Sequence, residues 1–136
     1  MVPEWRFEFA IDPRYSRVLR VFGVRPGRAW IGIDGQRLRV RFGPFRLETE
    51  LTNVESAGVT GPYRSALRAI GPHFSLKDRG ISFCTNTERG VCVLFREPVR
   101  GPETAGLVRH PGLTVTPVDP AGFARELLAA RDAADR

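Results

Sequence analysis

Residues 29–50 read AWIGIDGQRLRVRFGPFRLETE, and this stretch folds on paper into three strands. Asp34-Gly35 is a strong hairpin signal, because both central residues of such a two-residue loop take positive φ. With that loop Ile33 pairs with Gln36, Ile31 with Leu38, Trp30 with Arg39 and Ala29 with Val40. A second reversal at Gly43-Pro44 pairs Phe42 with Phe45, Arg41 with Arg46, Val40 with Leu47, Arg39 with Glu48 and Arg37 with Glu50. Ile31, Ile33, Leu38, Val40, Phe42, Phe45 and Leu47 then share one face, and Trp30, Arg37, Arg39, Arg41, Arg46, Glu48 and Glu50 share the other. The result is an antiparallel meander with one buried face.

Outward from the meander, Trp5, Phe7, Phe9 and Ile11 alternate with Arg6, Glu8 and Ala10, which predicts a first strand ending at Asp12-Pro13. The period then changes. Tyr15, Val18, Leu19 and Phe22 recur at helical spacing, with Asp12 as cap, Pro13 at the first helical position and Gly23 as the stop. Beyond the meander, residues 51–60 have strand character, with Val54 and Val59 as core candidates. Residues 61–73, GPYRSALRAIGPH, give one turn of helix at Arg64 to Ile70 or a long loop.

A short strand is expected near His73 to Leu76, then a turn at Lys77 to Gly80. ISFC and VCVLF read as the arms of one hairpin around TNTERG, which sets Cys84 opposite Cys92. In a reducing compartment these stay thiols, with a regulated disulfide as the alternative. Glu97 to Gly112 reads as a surface loop, with His110 in it, and Leu113 to Thr116 as a last strand. Asp119-Pro120 repeats the capping device before a helix with Phe123, Ala124, Leu127 and Leu128 on its apolar stripe, and the final AARDAADR is expected to fray.

At 136 residues, 42% hydrophobic and 26% charged, the chain fits a single globular domain, residues 1–136. Its apolar runs are too short for a transmembrane helix and its N-terminus does not read as a secretory signal, so a cytoplasmic setting is expected. The net charge of +6 comes from 21 basic residues, of which only Lys77 is lysine. Residues 1–50 hold ten basic and six acidic groups, 51–100 hold seven and four, and the remainder four and five. So even a spread speaks less for nucleic acid than a concentrated stripe does.

The order is therefore strand, short helix, about seven strands and a terminal helix, an α+β chain that is mainly antiparallel β. In RLRVRFGPFRLETELTNVESAGV and LTVTPVDPAGFARELLAA it resembles the bacterial pleckstrin-homology-like domains. That resemblance implies a bent sheet or partly open barrel of about seven strands, plugged by the C-terminal helix. The stretches TGPYR, AIGPHFSLKDRGISF and TNTERGVCVLFREPV look like those of an uncharacterised actinobacterial protein family, which implies no activity. The early helix departs from the plain pleckstrin-like plan and keeps a helix-grip fold of the START and Bet v 1 type open, with a ligand cavity.

The enzyme templates fail: there is no G-x-S-x-G, Walker loop, G-x-G-x-x-G or H-E-x-x-H. Only Cys84 or Ser75 with His73 and Asp78 offers the types for a nucleophile and base, and nothing in the spacing demands it. His and Cys are too few for a metal site, and no cofactor is indicated.

On the polar face of the meander, the paper register gives a Trp30–Arg39 stack and Arg39–Glu48 and Arg37–Glu50 ion pairs. It leaves Arg28, Arg41 and Arg46 clustered beside Trp30 as candidates for an anionic ligand, since guanidinium forks grip two oxygens at once. A solvated or oligomer-facing surface is the plainer reading. A second candidate is the loop set Tyr63, Arg64, His73, Thr85, Asn86, Thr87 and Arg89, although turn preference alone explains several of these.

The leading expectation is a non-catalytic module that binds a partner protein or an anionic group such as a lipid headgroup, peripheral at the inner membrane. A carrier or enzyme for an apolar small molecule is the alternative, and nucleic-acid binding a weaker one. A homodimer through an exposed strand edge is left open.

Overall fold

A computed structural model describes residues 5–63, 70–74, 79–101 and 109–136. Four antiparallel strands, β1 (Trp5–Glu8), β2 (Ala29–Asp34), β3 (Arg37–Phe42) and β4 (Phe45–Glu50), lie side by side in chain order. The β3–β4 register is the expected one, Arg41 facing Arg46 and Phe42 facing Phe45. In the β2–β3 hairpin every partner moves by two residues, so that Ile31 faces Val40 and Trp30 faces Arg41. The loop residues are Gly35 and Gln36, and Gly35 alone of the two has positive φ, at 60°. Glycine first is the type II′ arrangement. A slip of two preserves both faces, and Ile31, Ile33, Leu38, Val40, Phe42 and Leu47 are all buried.

Between β1 and β2, the Asp12 carboxylate accepts from the Arg14 N–H and opens a 3-10 turn, Pro13–Tyr15, that runs into helix α1 (Ser16–Val21). Gly23, at φ 78°, ends it as expected. The apolar stripe does not bury as expected. Leu19 alone is buried, because α1 sits on the end of the sheet and touches the core at one point.

The second sheet holds β5 (Val54–Thr60), β6 (Gly71–Phe74), β7 (Ile81–Cys84), β8 (Gly90–Arg100) and β9 (Arg109–Val115) in the order β5-β8-β9-β7-β6. The cysteine hairpin does not form. β9 lies between its arms, parallel to β7 and antiparallel to β8. Ile81, Phe83, Val91, Val93, Leu113 and Val115 all point inward in either arrangement, so alternation cannot choose the neighbour. Cys84 and Cys92 are accordingly free thiols on non-adjacent strands.

The expected loop from Glu97 is also corrected. Glu97 to Arg100 belong to β8 and Arg109 to Gly112 to β9, with Pro98 at a register shift between Leu94 and Val99, a place where a strand tolerates proline. His110 is buried in β9, its ring nitrogens 2.8 Å from the Arg79 and Gly101 carbonyl oxygens. In β5 Val54 is buried, but Val59 is 44% exposed near the sheet end.

A 3-10 turn, Leu51–Asn53, carries the chain from β4 to β5. Asn53 fastens the corner: its amide nitrogen donates to Thr49 Oγ1 (3.0 Å) and the Glu97 carbonyl (2.9 Å), and its Oδ1 accepts from the Glu97 N–H (2.8 Å). The inner faces of the sheets meet through Phe42 and Phe83, stacked at 4.9 Å between ring centroids. Helix α2 (Pro120–Ala134), capped by Asp119, lies along β5 and β8 with Phe123, Leu127 and Ala130 buried. It does not fray at 129: the Arg131 guanidinium donates to the Glu55 carbonyl (2.6 Å) and holds the last turn to β5. The fold is α+β and mostly antiparallel, in two sheets that do not close into a barrel.

Candidate functional site

The outer face of the first sheet is organised in rows across the strands. One row is Arg6, Gly32, Arg39 and Glu48, and the next is Glu8, Trp30, Arg41 and Arg46. Gly32 is the gap that seats the tryptophan. A Cβ at that position would lie 3.2 Å from Cζ3 of Trp30, so the indole crosses the sheet over the glycine. The Arg6 guanidinium lies over the ring at 4.5 Å from its centroid. This corrects the expected Trp30–Arg39 stack: the stacking cation comes from β1, whose pairing to β2 no local pattern announces. Gly32 at an outward strand position was the signal for it, since glycine there marks close approach.

The remaining arginines divide into two groups. Arg37 pairs with Glu48 instead of Glu50, and Arg39 bridges Asp34 and Glu48, each at 3.6 Å. These are exposed pairs that satisfy one another. Arg41 and Arg46 face each other directly, a like-charge cross-strand pair that opposes folding. Arg41 is half-buried and its Nε donates to the Gly43 carbonyl (3.2 Å), which aims the guanidinium, while Arg46 is exposed. Neither has an acidic partner among the described residues.

Together with Trp30, Arg39 and Glu48 they line a depression of about 320 Å³. Directly opposed residues of antiparallel strands have Cβ atoms about 4.5–5.5 Å apart, a spacing from which two arginines can grip one phosphate or carboxylate. Arg28 does not face Arg41 as expected, because the two-residue register change puts Trp30 there. It stands outside β2, and its carbonyl accepts from the Gly43 N–H (2.8 Å).

The loop candidates are dispersed or engaged. The Thr85 N–H donates to Thr116 Oγ1 (2.8 Å) and its hydroxyl to the Ala10 carbonyl (2.8 Å), while the Asn86 amide also donates to Ala10 (2.8 Å). Asn86 Oδ1 accepts from the Glu88 and Arg89 N–H groups, so Thr85 and Asn86 tie the end of the first strand to the β7–β8 connection. The Thr87 carbonyl accepts from the Tyr63 N–H (2.7 Å), and the Tyr63 hydroxyl meets Thr60 Oγ1 at 2.7 Å. Burial pushes the Tyr63 phenol up.

His73 stands on β6, at the opposite edge of the sheet from β5, its Nε2 on the Ile70 carbonyl (2.8 Å). Arg64, with residues 64–69 of the helical turn expected at 64–70, Ser75 and Asp78 lie outside the described residues. Among the described residues no cluster of His, Cys, Asp and Glu has the makings of a metal site.

The chain was compared with protein-family models, with curated proteins and with solved structures, and none of them matches it.

Proposed function

We propose that this is a non-catalytic binding module of pleckstrin-homology-like plan whose Arg41–Arg46 pair holds an anionic group, a phosphate or carboxylate carried by a lipid or a partner protein. The observation that carries the reading is the like-charge pair, directly opposed on β3 and β4 in a depression beside Trp30 and without an acidic partner among the described residues. Cross-strand repulsion is a cost to the fold, and an anion between the guanidiniums converts it into attraction.

The plan is supported by element order: a four-stranded meander, then β5, β8 and β9 in antiparallel succession, then a helix, with β6 and β7 inserted. The non-catalytic reading is supported by Cys84, whose thiol burial pushes up to about 12, far from the nucleophilic thiolate. No helix among the described residues is long and apolar enough to cross a membrane. A cytoplasmic location is part of the proposal and rests on the sequence reading alone.

Calorimetric titration with inorganic pyrophosphate tests it. Binding to the wild type that drops at least about tenfold in Arg41→Gln/Arg46→Gln is expected, since charged hydrogen bonds contribute about 1.5–3 kcal/mol each. Equal binding by the double variant overturns the site.

A further inference from the structure

From Pro13 to Ile33 the chain carries five arginines and no acidic residue. Helix α1 stands in that stretch, with Leu19 its only buried side chain. At about 100° per residue, Val18 and Val21 fall on one side of its outward arc and Arg17 and Arg20 on the other, and Phe22 follows as the C-cap with its ring against Gly71. The three apolar residues are 50%, 84% and 39% exposed. Two bare valines one turn apart on a short helix, beside a run of arginines, form an exposed apolar patch flanked by positive charge. Arg14 is paired with Asp12, whereas Arg17, Arg20, Arg25 and Arg28 are exposed and have no acidic partner among the described residues.

This element is continuous with the anion site. The backbones of Gly23 and Gly43 touch so closely that a Cβ on Gly43 would lie 2.8 Å from the Gly23 carbonyl. Gly43 in turn binds the Arg28 carbonyl through its N–H and Arg41 Nε through its oxygen. Helix α1, the loop to Arg28 and Arg41 therefore share one end of the first sheet.

We propose that α1 and the loop to Arg28 are a membrane-docking wedge, with Val18 and Val21 entering the acyl boundary of an anionic bilayer and Arg17, Arg20, Arg25 and Arg28 holding lipid phosphates. The proposal deepens the anion-binding reading, on which it rests for Arg41 and Arg46, by naming a lipid surface as the carrier. An acidic protein complements the arginines alone. A bilayer complements both halves, because its apolar layer lies directly beneath its plane of phosphates. A six-residue helix spans about 9 Å, so it lies in the interface and crosses nothing.

Vesicle co-sedimentation provides the test, using phosphatidylcholine vesicles with and without phosphatidylglycerol. The wild type is expected to bind only the anionic vesicles, more weakly with added salt. Val18→Glu/Val21→Glu alters side chains that are 50% and 84% exposed and is expected to keep the fold, which circular dichroism checks. It is expected to lose vesicle binding at least about tenfold while still binding pyrophosphate. Arg17→Gln and Arg20→Gln are expected to weaken it about fivefold each.

Undiminished vesicle binding by the valine variant overturns the wedge, as does a wild type that ignores anionic vesicles but binds an acidic protein. If vesicle binding depends on the valines while pyrophosphate fails to bind, the wedge stands and the Arg41–Arg46 site falls.

Discussion

Arg41 and Arg46 are two cations that folding sets face to face, and their energetics separate function from solvation. Replacing both with Gln removes a cross-strand repulsion of about 0.2–1 kcal/mol. The variant also loses the Arg41 bond to the Gly43 carbonyl, which contributes about as much, so its urea midpoint is expected to change little while anion binding falls, and a large drop would assign the pair a structural role. Cys84 offers a second prediction at this scale. Its folded thiol is pushed by burial from 9.0 up to about 12, so the fold prefers the protonated form. That contribution is complete below the unfolded value and is lost as pH rises from it toward the folded one. The wild type should lose stability over that alkaline window, and Cys84→Ala should show a flatter slope in denaturation measured against pH.

At the scale of elements, two small connectors hold the architecture. Asn53 acts as a side-chain peptide, extending the β5–β8 contact to Glu97 and anchoring Thr49. Asn53→Ala removes three hydrogen bonds, two of them exposed to water, and should cost about 1–3 kcal/mol in chemical denaturation. Gly43, at φ 61° and pressed on Gly23, joins α1 to the β3–β4 turn. Gly43→Ala should cost about 1–3 kcal/mol, and more if the backbone contact cannot relax.

The β3–β4 turn was legible in the sequence because Gly43-Pro44 permits one register. The β2–β3 turn was half legible: Asp34-Gly35 and Gly35-Gln36 give the same faces, yet they assign Trp30 different partners. The same ambiguity hid β9 between β7 and β8. Period-two alternation reports which face is buried and is silent about which strand is next door.

Across the whole molecule, the mainly antiparallel α+β make-up, the single core and the closing helix followed from alternation and capping, whereas the division into two sheets did not. Charge placement did not, because it depends on pairings distant in sequence. Arg6 reaches Trp30 only through β1–β2 pairing, and Arg28 leaves the cluster through a register change. What survives of the candidate site is Trp30, Arg41 and Arg46, brought to one depression. The chain has two tryptophans, and Trp5 lies on the inward-facing row of β1 while Trp30 lines the site. In a Trp5→Phe variant all indole emission therefore comes from the site. Titration of that variant with pyrophosphate should give a saturable change in Trp30 fluorescence that disappears when Arg41→Gln/Arg46→Gln is added. An unchanged signal, or one that persists without the two arginines, contradicts the account.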